Sequence, residues 1–310
     1  MRIVISEFMD EAAVDTLRQR FGAAAVHYDA NLVDHPAALA TAVADCDALI
    51  VRNRTQVRGA LLDTCAKVRV IGRLGVGLDN IDVAACDARA IRVIPATGAN
   101  ALAVAEYVIG TAMLLRRASY LSTGEVSDGK WPRNRLSAGR ETAGAVMGLI
   151  GFGSIGQLTA RLASALGMQV IAYDPALPAK HPAWQEIGVR RASLDEVTVD
   201  ADVISLHVPL LDATRNLFDA GRIAAMKRGA VLINTSRGGI VDEGAAVAAL
   251  RSGALGGAAL DVFEQEPLPA MAGWTGCTNL ILTPHIAGVS FEANVRVSSM
   301  IAAAVIDVLQ

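Results

Sequence analysis

Gly148-Leu-Ile-Gly151-Phe-Gly153-Ser154-Ile155-Gly156 lies in mid-chain between two short apolar runs, Ala145 to Ile150 and Gln169 to Tyr173, and Asp174 closes the second run. The spacing of Gly151, Gly153 and Gly156 is that of a strand-to-helix turn that cradles a pyrophosphate. The first glycine turns the chain, the second lets the ligand approach bare backbone, and the third lets the next helix pack closely on the sheet. That helix, read as Ile155 to Leu166, points its amide-rich N-terminus at the phosphates. Asp174 follows about 20 residues on, where a carboxylate accepts hydrogen bonds from an adenosine ribose. Glycine turns before helices are common. A β-rich run before this one, a helix after it and an acid at the right distance together specify a dinucleotide site.

Length and composition agree with that unit. A chain of 310 residues suits two domains, at roughly 150 residues each. Hydrophobic residues make up 53% and aromatics only 4%, so Ala, Val, Leu and Ile must fill the cores. The net charge is −3 and no Lys/Arg block is present, so no nucleic-acid partner is expected. The opening MRIVISEFMDEAAV carries acids early and reads as a strand and a helix, not a signal peptide. No apolar run approaches the roughly 18 residues of a membrane span. Cys46, Cys65, Cys86 and Cys277 have neither metal-ligand nor CxxC spacing, which suits buried thiols in a reducing cytoplasm and predicts no metal site.

Short β-rich runs alternate with helical stretches almost throughout, from Arg2–Ser6 and Ala48–Val51 to Ala258–Asp261 and Leu280–Thr283. Alternation of this kind predicts βαβ units and parallel sheets. Because the glycine fingerprint begins only near residue 148, about a hundred residues before it must form a separate α/β unit. Ala99 to Arg117 reads as a helix able to connect the two. Ser122 to Arg140 is polar, contains Trp131-Pro132 and scattered arginines, and reads as a loop or arm. Ligands of open parallel sheets bind at the carboxyl ends of strands, and three polar segments fall there. They are Asn234-Thr235-Ser236-Arg237-Gly-Gly, Asp261-Val-Phe-Glu-Gln-Glu266-Pro and Thr283-Pro-His285-Ile-Ala-Gly288.

The fingerprint, SRGGIVDE, DVFEQEP and TPHIAG together resemble the D-isomer-specific 2-hydroxyacid dehydrogenases. GRLGVGLDNID and GANALAVAEYVIG look most like the phosphoglycerate dehydrogenase branch. The resemblance runs along essentially the whole chain. It implies an α/β protein of two Rossmann- or flavodoxin-like, doubly wound parallel-sheet domains, the nucleotide domain inserted into the substrate domain. Residues 1–98 and 286–310 would bind substrate, and residues 99–285 would bind NAD. It further implies a homodimer formed through the arm around Trp131. The chain stops soon after its terminal helix, so no C-terminal regulatory domain is expected.

Residue chemistry points the same way. Oxidising a secondary alcohol needs a base for the hydroxyl proton and a cation for the carboxylate and the nascent carbonyl. His285 suits the proton, Glu266 can fix its tautomer through the other ring nitrogen, and Arg237 offers a planar two-pronged donor. Taken singly, each has a plainer reading: a structural histidine, a surface salt bridge, a solvated acidic loop. The resemblance gives the three the same catalytic roles. It also gives cofactor contacts to Ser154, Ile155, His207, Val208, Pro209, Thr235, Ser236, Asp261 and Gly288, Asp261 meeting the nicotinamide carboxamide. Val76 and Gly77 would bind the substrate carboxylate through their amides, with Asn100 nearby, although Asn100 reads equally well as a helix N-cap.

Asp174-Pro175, with no Arg or Lys before Lys180, disfavours a 2′-phosphate and predicts NAD over NADP. By resemblance to the phosphoglycerate dehydrogenases, Arg52 and Arg73 correspond to positions that meet a substrate phosphate, and Arg133 is a candidate to reach in from a partner subunit. Arg54 lies close to the first of them, and all of these also read as ordinary surface arginines. The candidate substrates are therefore 3-phosphoglycerate or a C3-anionic analogue such as 3-sulfolactate, with a plain glycerate, glyoxylate or lactate type as the alternative. A non-catalytic NAD-sensing scaffold of the same superfamily remains open. Formate chemistry fits poorly, because the formate-specific members carry Gln where this chain has Glu266.

Overall fold

The structure, a computed structural model, describes residues 1–270 and 273–310. The chain divides into two compact units, Met1–Asn100 with Val289–Gln310, and Ala101–Gly288. Among the described residues, no helix is long and apolar enough to cross a membrane.

The first unit carries one parallel sheet of β1 (Ile3–Ile5), β2 (Val26–Tyr28), β3 (Ala48–Val51), β4 (Val70–Arg73) and β5 (Arg92–Pro95), in the order β2-β1-β3-β4-β5. This is the flavodoxin-like order, whose switch point lies between β1 and β3. Ile3 and Ile5 stand opposite Ala48 and Ile50. Side chains alternate across the sheet and both faces are covered. Ile3, Ile5, Ile50 and Val70 pack with Val297, Ile301 and Val305 of the last helix, Phe291–Leu309. Val4, Leu49, Val51 and Ile71 meet Leu39, Val43 and Leu62 on the other face. Burial on both faces is why β1 and β3 read as unbroken apolar runs.

The second unit holds β6 (Val146–Ile150), β7 (Gln169–Tyr173), β8 (Arg190–Arg191), β9 (Val203–Leu206), β10 (Ala230–Asn234), β11 (Leu255–Leu260) and β12 (Leu280–Leu282). Their order, β12-β11-β10-β9-β6-β7-β8, is the Rossmann order with a seventh strand, and every pairing is parallel. The switch point falls between β6, which leads into the glycine loop, and β9. The architecture is that implied by the sequence: two doubly wound parallel α/β sheets.

Three details depart from the sequence reading. Strand β2 (Val-His-Tyr) has one buried residue, and β8 is two exposed arginines paired to Ile171 and Ala172. Both are edge strands formed by pairing, with little apolar pattern to announce them. The segment read as a loop or arm contains helical turns at Thr123–Ser127 and Arg133–Leu136, neither of which buries a residue.

Candidate active site

Strand β6 delivers the glycine loop. Gly151 holds φ at +97°, a region that disfavours side chains, and a Cβ there would press on the His207 carbonyl. The helix Ser154–Ala165 starts at Gly153 with no side-chain cap, and the space beside Gly153 is open. An uncapped helix start presents its first amides, and the positive end of its dipole, to an anion. His207 follows β9; both its ring nitrogens are buried without a hydrogen-bond partner among the described residues. Thr235 Oγ1, just past β10, is in the same state. Buried polar atoms left unpaired are costly unless a bound group satisfies them. Bare loop, uncapped helix and orphaned atoms together fit a dinucleotide. Burial pushes the His207 imidazole down to about 4, so the ring is neutral and offers one donor and one acceptor. Half-buried Val208 and exposed Pro209 continue the same edge.

Asp174 follows β7 and is more occupied than a ribose ligand needs to be. Its Oδ2 accepts Phe152 N–H at 2.7 Å, and its Oδ1 accepts Ala176 N–H at 2.9 Å and Leu177 N–H at 3.0 Å. The carboxylate therefore ties the glycine loop to the end of β7. Of its roughly four acceptor positions, one remains for a hydroxyl.

Strands β10, β11 and β12 are neighbours, so their three polar segments emerge side by side. Asn234 closes the first turn: its Nδ2 donates to the Arg237 carbonyl at 2.8 Å and its Oδ1 accepts Ser236 N–H at 3.0 Å. Arg237 Nη1 donates to the Ser236 carbonyl at 2.6 Å. Gly238 is demanded by close approach, because a Cβ would strike the Phe263 carbonyl; the loops after β10 and β11 touch there.

Asp261, 1% exposed, organises the third segment. Its Oδ1 accepts Ile286 N–H at 2.8 Å and the Thr283 hydroxyl at 2.6 Å, and its Oδ2 accepts Ala287 N–H at 2.8 Å. The Tyr107 hydroxyl stands 2.7 Å from Thr283 Oγ1. His285 donates its own N–H to the Asp261 carbonyl at 2.9 Å and holds φ at +56°. A non-glycine residue stays in that region only when its surroundings over-determine it, and these bonds do so. Any nicotinamide contact must share a carboxylate already engaged by three donors. Glu266 Oε2 lies 2.8 Å from His285 Nδ1, while Oε1 accepts Phe263 N–H at 3.1 Å. One oxygen thus fixes the acid and the other fixes the imidazole, and Nε2 is the ring nitrogen left for a substrate proton. Gly288 ends this segment, half-buried.

In the first unit, Arg52 directly follows β3. Its Nη2 donates to Asn294 Oδ1 at 2.8 Å, and its guanidinium carbon lies 5.8 Å from the centre of the Phe8 ring. Arg54 is ion-paired with Asp34. Arg73, at the end of β4, folds back so that Nη1 donates to the Leu74 carbonyl at 2.9 Å. The Val76 and Gly77 amides make no hydrogen bond among the described residues. Asn100 Oδ1 is buried without a partner, so it makes no capping bond to the helix that follows. Arg133 is exposed at the start of its helical turn in the second unit. Asn80 and Asn294 escaped the sequence reading, and Glu7 lies two residues past β1, with Ser6 between them.

The family model for the D-isomer specific 2-hydroxyacid dehydrogenase NAD binding domain matches residues 109–287, the stretch holding every second-unit feature described above except Tyr107 and Gly288. The chain belongs to the D-isomer specific 2-hydroxyacid dehydrogenase family. It is accordingly an NAD-dependent 2-hydroxyacid dehydrogenase. It is 53% identical over 296 residues to the (S)-sulfolactate dehydrogenase of Chromohalobacter salexigens, covering 96% of this chain and 94% of that protein. It is 36% identical to a D-3-phosphoglycerate dehydrogenase of Synechocystis sp. over 99% of this chain but 54% of that protein, so it spans about half of that relative. A solved protein of Thermus thermophilus superposes with a TM-score of 0.89 at 32% identity, covering 100% of this chain and 97% of that one.

The buried imidazole makes a pH test of the nucleotide site. His207 titrates near 4 when folded against 6.5 ordinarily, so below pH 6.5 the unfolded chain takes up the proton first. Stability that is present above 6.5 is then lost as the pH falls toward 4. Urea midpoints measured at pH 7 and pH 4.5 should fall further for the wild type than for His207→Gln, which cannot titrate. Equal falls would show that His207 is not held neutral.

Proposed function

We propose that the chain oxidises a 2-hydroxy acid bearing a second anion at C3, (S)-3-sulfolactate first and 3-phosphoglycerate second, to the 2-keto acid with NAD. The observation that carries the substrate class is the half-buried Arg52 guanidinium. Its side-chain partners are a neutral amide oxygen and a ring face, and among the described residues no carboxylate lies within ion-pair distance of it. A cation held this way has donors to offer a sulfonate or phosphate. The 53% identity to the (S)-sulfolactate dehydrogenase favours the sulfonate. The stereochemical label agrees with a D-specific family. In 3-sulfolactate the sulfur-bearing carbon outranks the carboxylate, so (S) denotes the arrangement called D in lactate.

Bound NAD supplies the hydride acceptor for C2. The residues proposed to hold it are Gly151, Gly153, Ser154, Ile155 and Gly156 at the pyrophosphate and Asp174 at the ribose. His207, Val208, Pro209, Thr235, Ser236, Asp261 and Gly288 complete that surface. His285 Nε2 takes the hydroxyl proton as the carbonyl forms, and returns it in the reverse direction. Glu266 keeps the imidazole in one orientation and balances the imidazolium charge. Arg237 pairs with the carboxylate and the developing carbonyl oxygen, and the Val76 and Gly77 amides with Asn100 take the rest of the carboxylate. The first unit is then the substrate-binding domain and the second the NAD-binding domain. Exposure of Trp131 (77%) on the arm and of Tyr120 (65%) just before it supports a homodimer formed there. Four free cysteines suit a cytoplasmic setting.

His285→Ala should lower kcat on the order of 100-fold or more while leaving the NADH dissociation constant nearly unchanged, and Arg237→Lys should also fail because an ammonium cannot copy the fork. Near-wild-type turnover in His285→Ala would remove the proton-transfer assignment. For the substrate, kcat/KM should favour 3-sulfolactate or 3-phosphoglycerate over D-lactate, and Arg52→Ala should collapse that preference. A preference for lactate or glycerate that Arg52→Ala leaves unchanged would refute the second anion.

A further inference from the structure

At the switch point of the first sheet, an anion already lies on the backbone, and it belongs to the protein. Glu7 follows β1 and is 4% exposed. Its Oε1 accepts Arg52 N–H at 2.9 Å and Thr55 N–H at 3.0 Å, and its Oε2 accepts Arg54 N–H at 3.1 Å. Three amides of one short turn converging on a carboxylate form an anion nest filled by a side chain. The opposite side of the turn is held as well. Asn80 Nδ2 donates to the Thr55 carbonyl at 2.7 Å and to the Arg52 carbonyl at 3.2 Å, and Ser6 Oγ lies 2.9 Å from Thr55 Oγ1. Asn80 and Thr55 are 5% and 1% exposed. The turn 52–55 is therefore gripped through its amides by an acid and through its carbonyls by an amide.

We infer that Glu7 and Asn80 are positioning residues for substrate specificity: together they fix the turn that carries Arg52, and so set where its guanidinium meets the substrate's C3 anion. This rests on the proposed role of Arg52. The division of labour follows from charge. Glu7 takes backbone donors only, so its negative charge offsets part of the cost of burying the nearby guanidinium without occupying it. An acid bonded directly to Arg52 would instead compete with the substrate. Neither residue needs to touch substrate. A shift of the turn by a fraction of an ångström would weaken the contact to the far anion without altering proton transfer at His285.

Glu7→Gln keeps the size but replaces one acceptor oxygen with a donor that faces an amide, and Asn80→Ala removes the carbonyl clamp. Each variant should raise KM for (S)-3-sulfolactate about tenfold, the worth of one or two hydrogen bonds. The kcat for that substrate, kcat/KM for D-lactate and the NADH dissociation constant should stay within about threefold. If Glu7→Gln fails to fold, Asn80→Ala decides by the same readings. An unchanged KM in the folded variants would overturn the inference. So would a parallel fall of kcat with both substrates and of NADH affinity, which marks a general lesion. Arg52→Ala, run alongside, separates the two levels. If it leaves the sulfolactate preference intact, the substrate reading fails. If it abolishes the preference while Glu7→Gln and Asn80→Ala change nothing, only the positioning role fails.

Discussion

The buried carboxylate of Asp261 is the contact on which the second unit's chemistry depends. A charge removed from water must be matched by donors, and here the donors are Ile286 N–H, Ala287 N–H and the Thr283 hydroxyl. All three belong to the segment that presents His285. Satisfying the buried charge and placing the imidazole are thus one event. The left-handed backbone at His285 is maintained by the same bonds, and Glu266 needs only to fix the ring's rotation. Tyr107 extends the network to the helix Ala101–Arg117 through Thr283.

The same device recurs twice more. Asp174 joins the glycine loop to the end of β7 through Phe152 N–H and holds its own turn through Ala176 and Leu177 N–H, and Glu7 joins β1 to the turn after β3 through three other amides. A parallel sheet ends in loops whose amides have no ladder partner, and an acid at the end of a neighbouring strand can collect them. Each acid sits at or near a position where ligands of such sheets bind. Stiff loops at those ends hold polar side chains in place before a ligand arrives, which limits the entropy lost on binding.

Much of this was legible in the sequence, because the signals are local. The glycine spacing, Asp174 and the polar ends of β10, β11 and β12 can be read within a few residues, and alternating apolar runs specify parallel sheets. What escaped were the backbone-amide partners of acidic side chains. Glu7 and Asp261 bond to Arg52, Thr55, Ile286 and Ala287 through N–H groups, which no residue type announces. Asn100 was ambiguous because an N-cap and a ligand contact ask for the same side chain; its Oδ1 makes no capping bond. Strand β8 escaped because pairing to β7, not burial, creates it. The helical turns in the segment Ser122–Arg140 bury nothing and leave no periodic pattern.

The central claim is a D-configured hydroxy acid carrying a second charge, oxidised with NAD. Its most direct measurement is NADH formation by the purified protein with the two enantiomers of 3-sulfolactate supplied separately. The account predicts turnover of the (S) enantiomer and at least a hundredfold lower kcat/KM for the (R), a discrimination of roughly 3 kcal/mol. Equal rates with both enantiomers, or turnover of (R) alone, would contradict it.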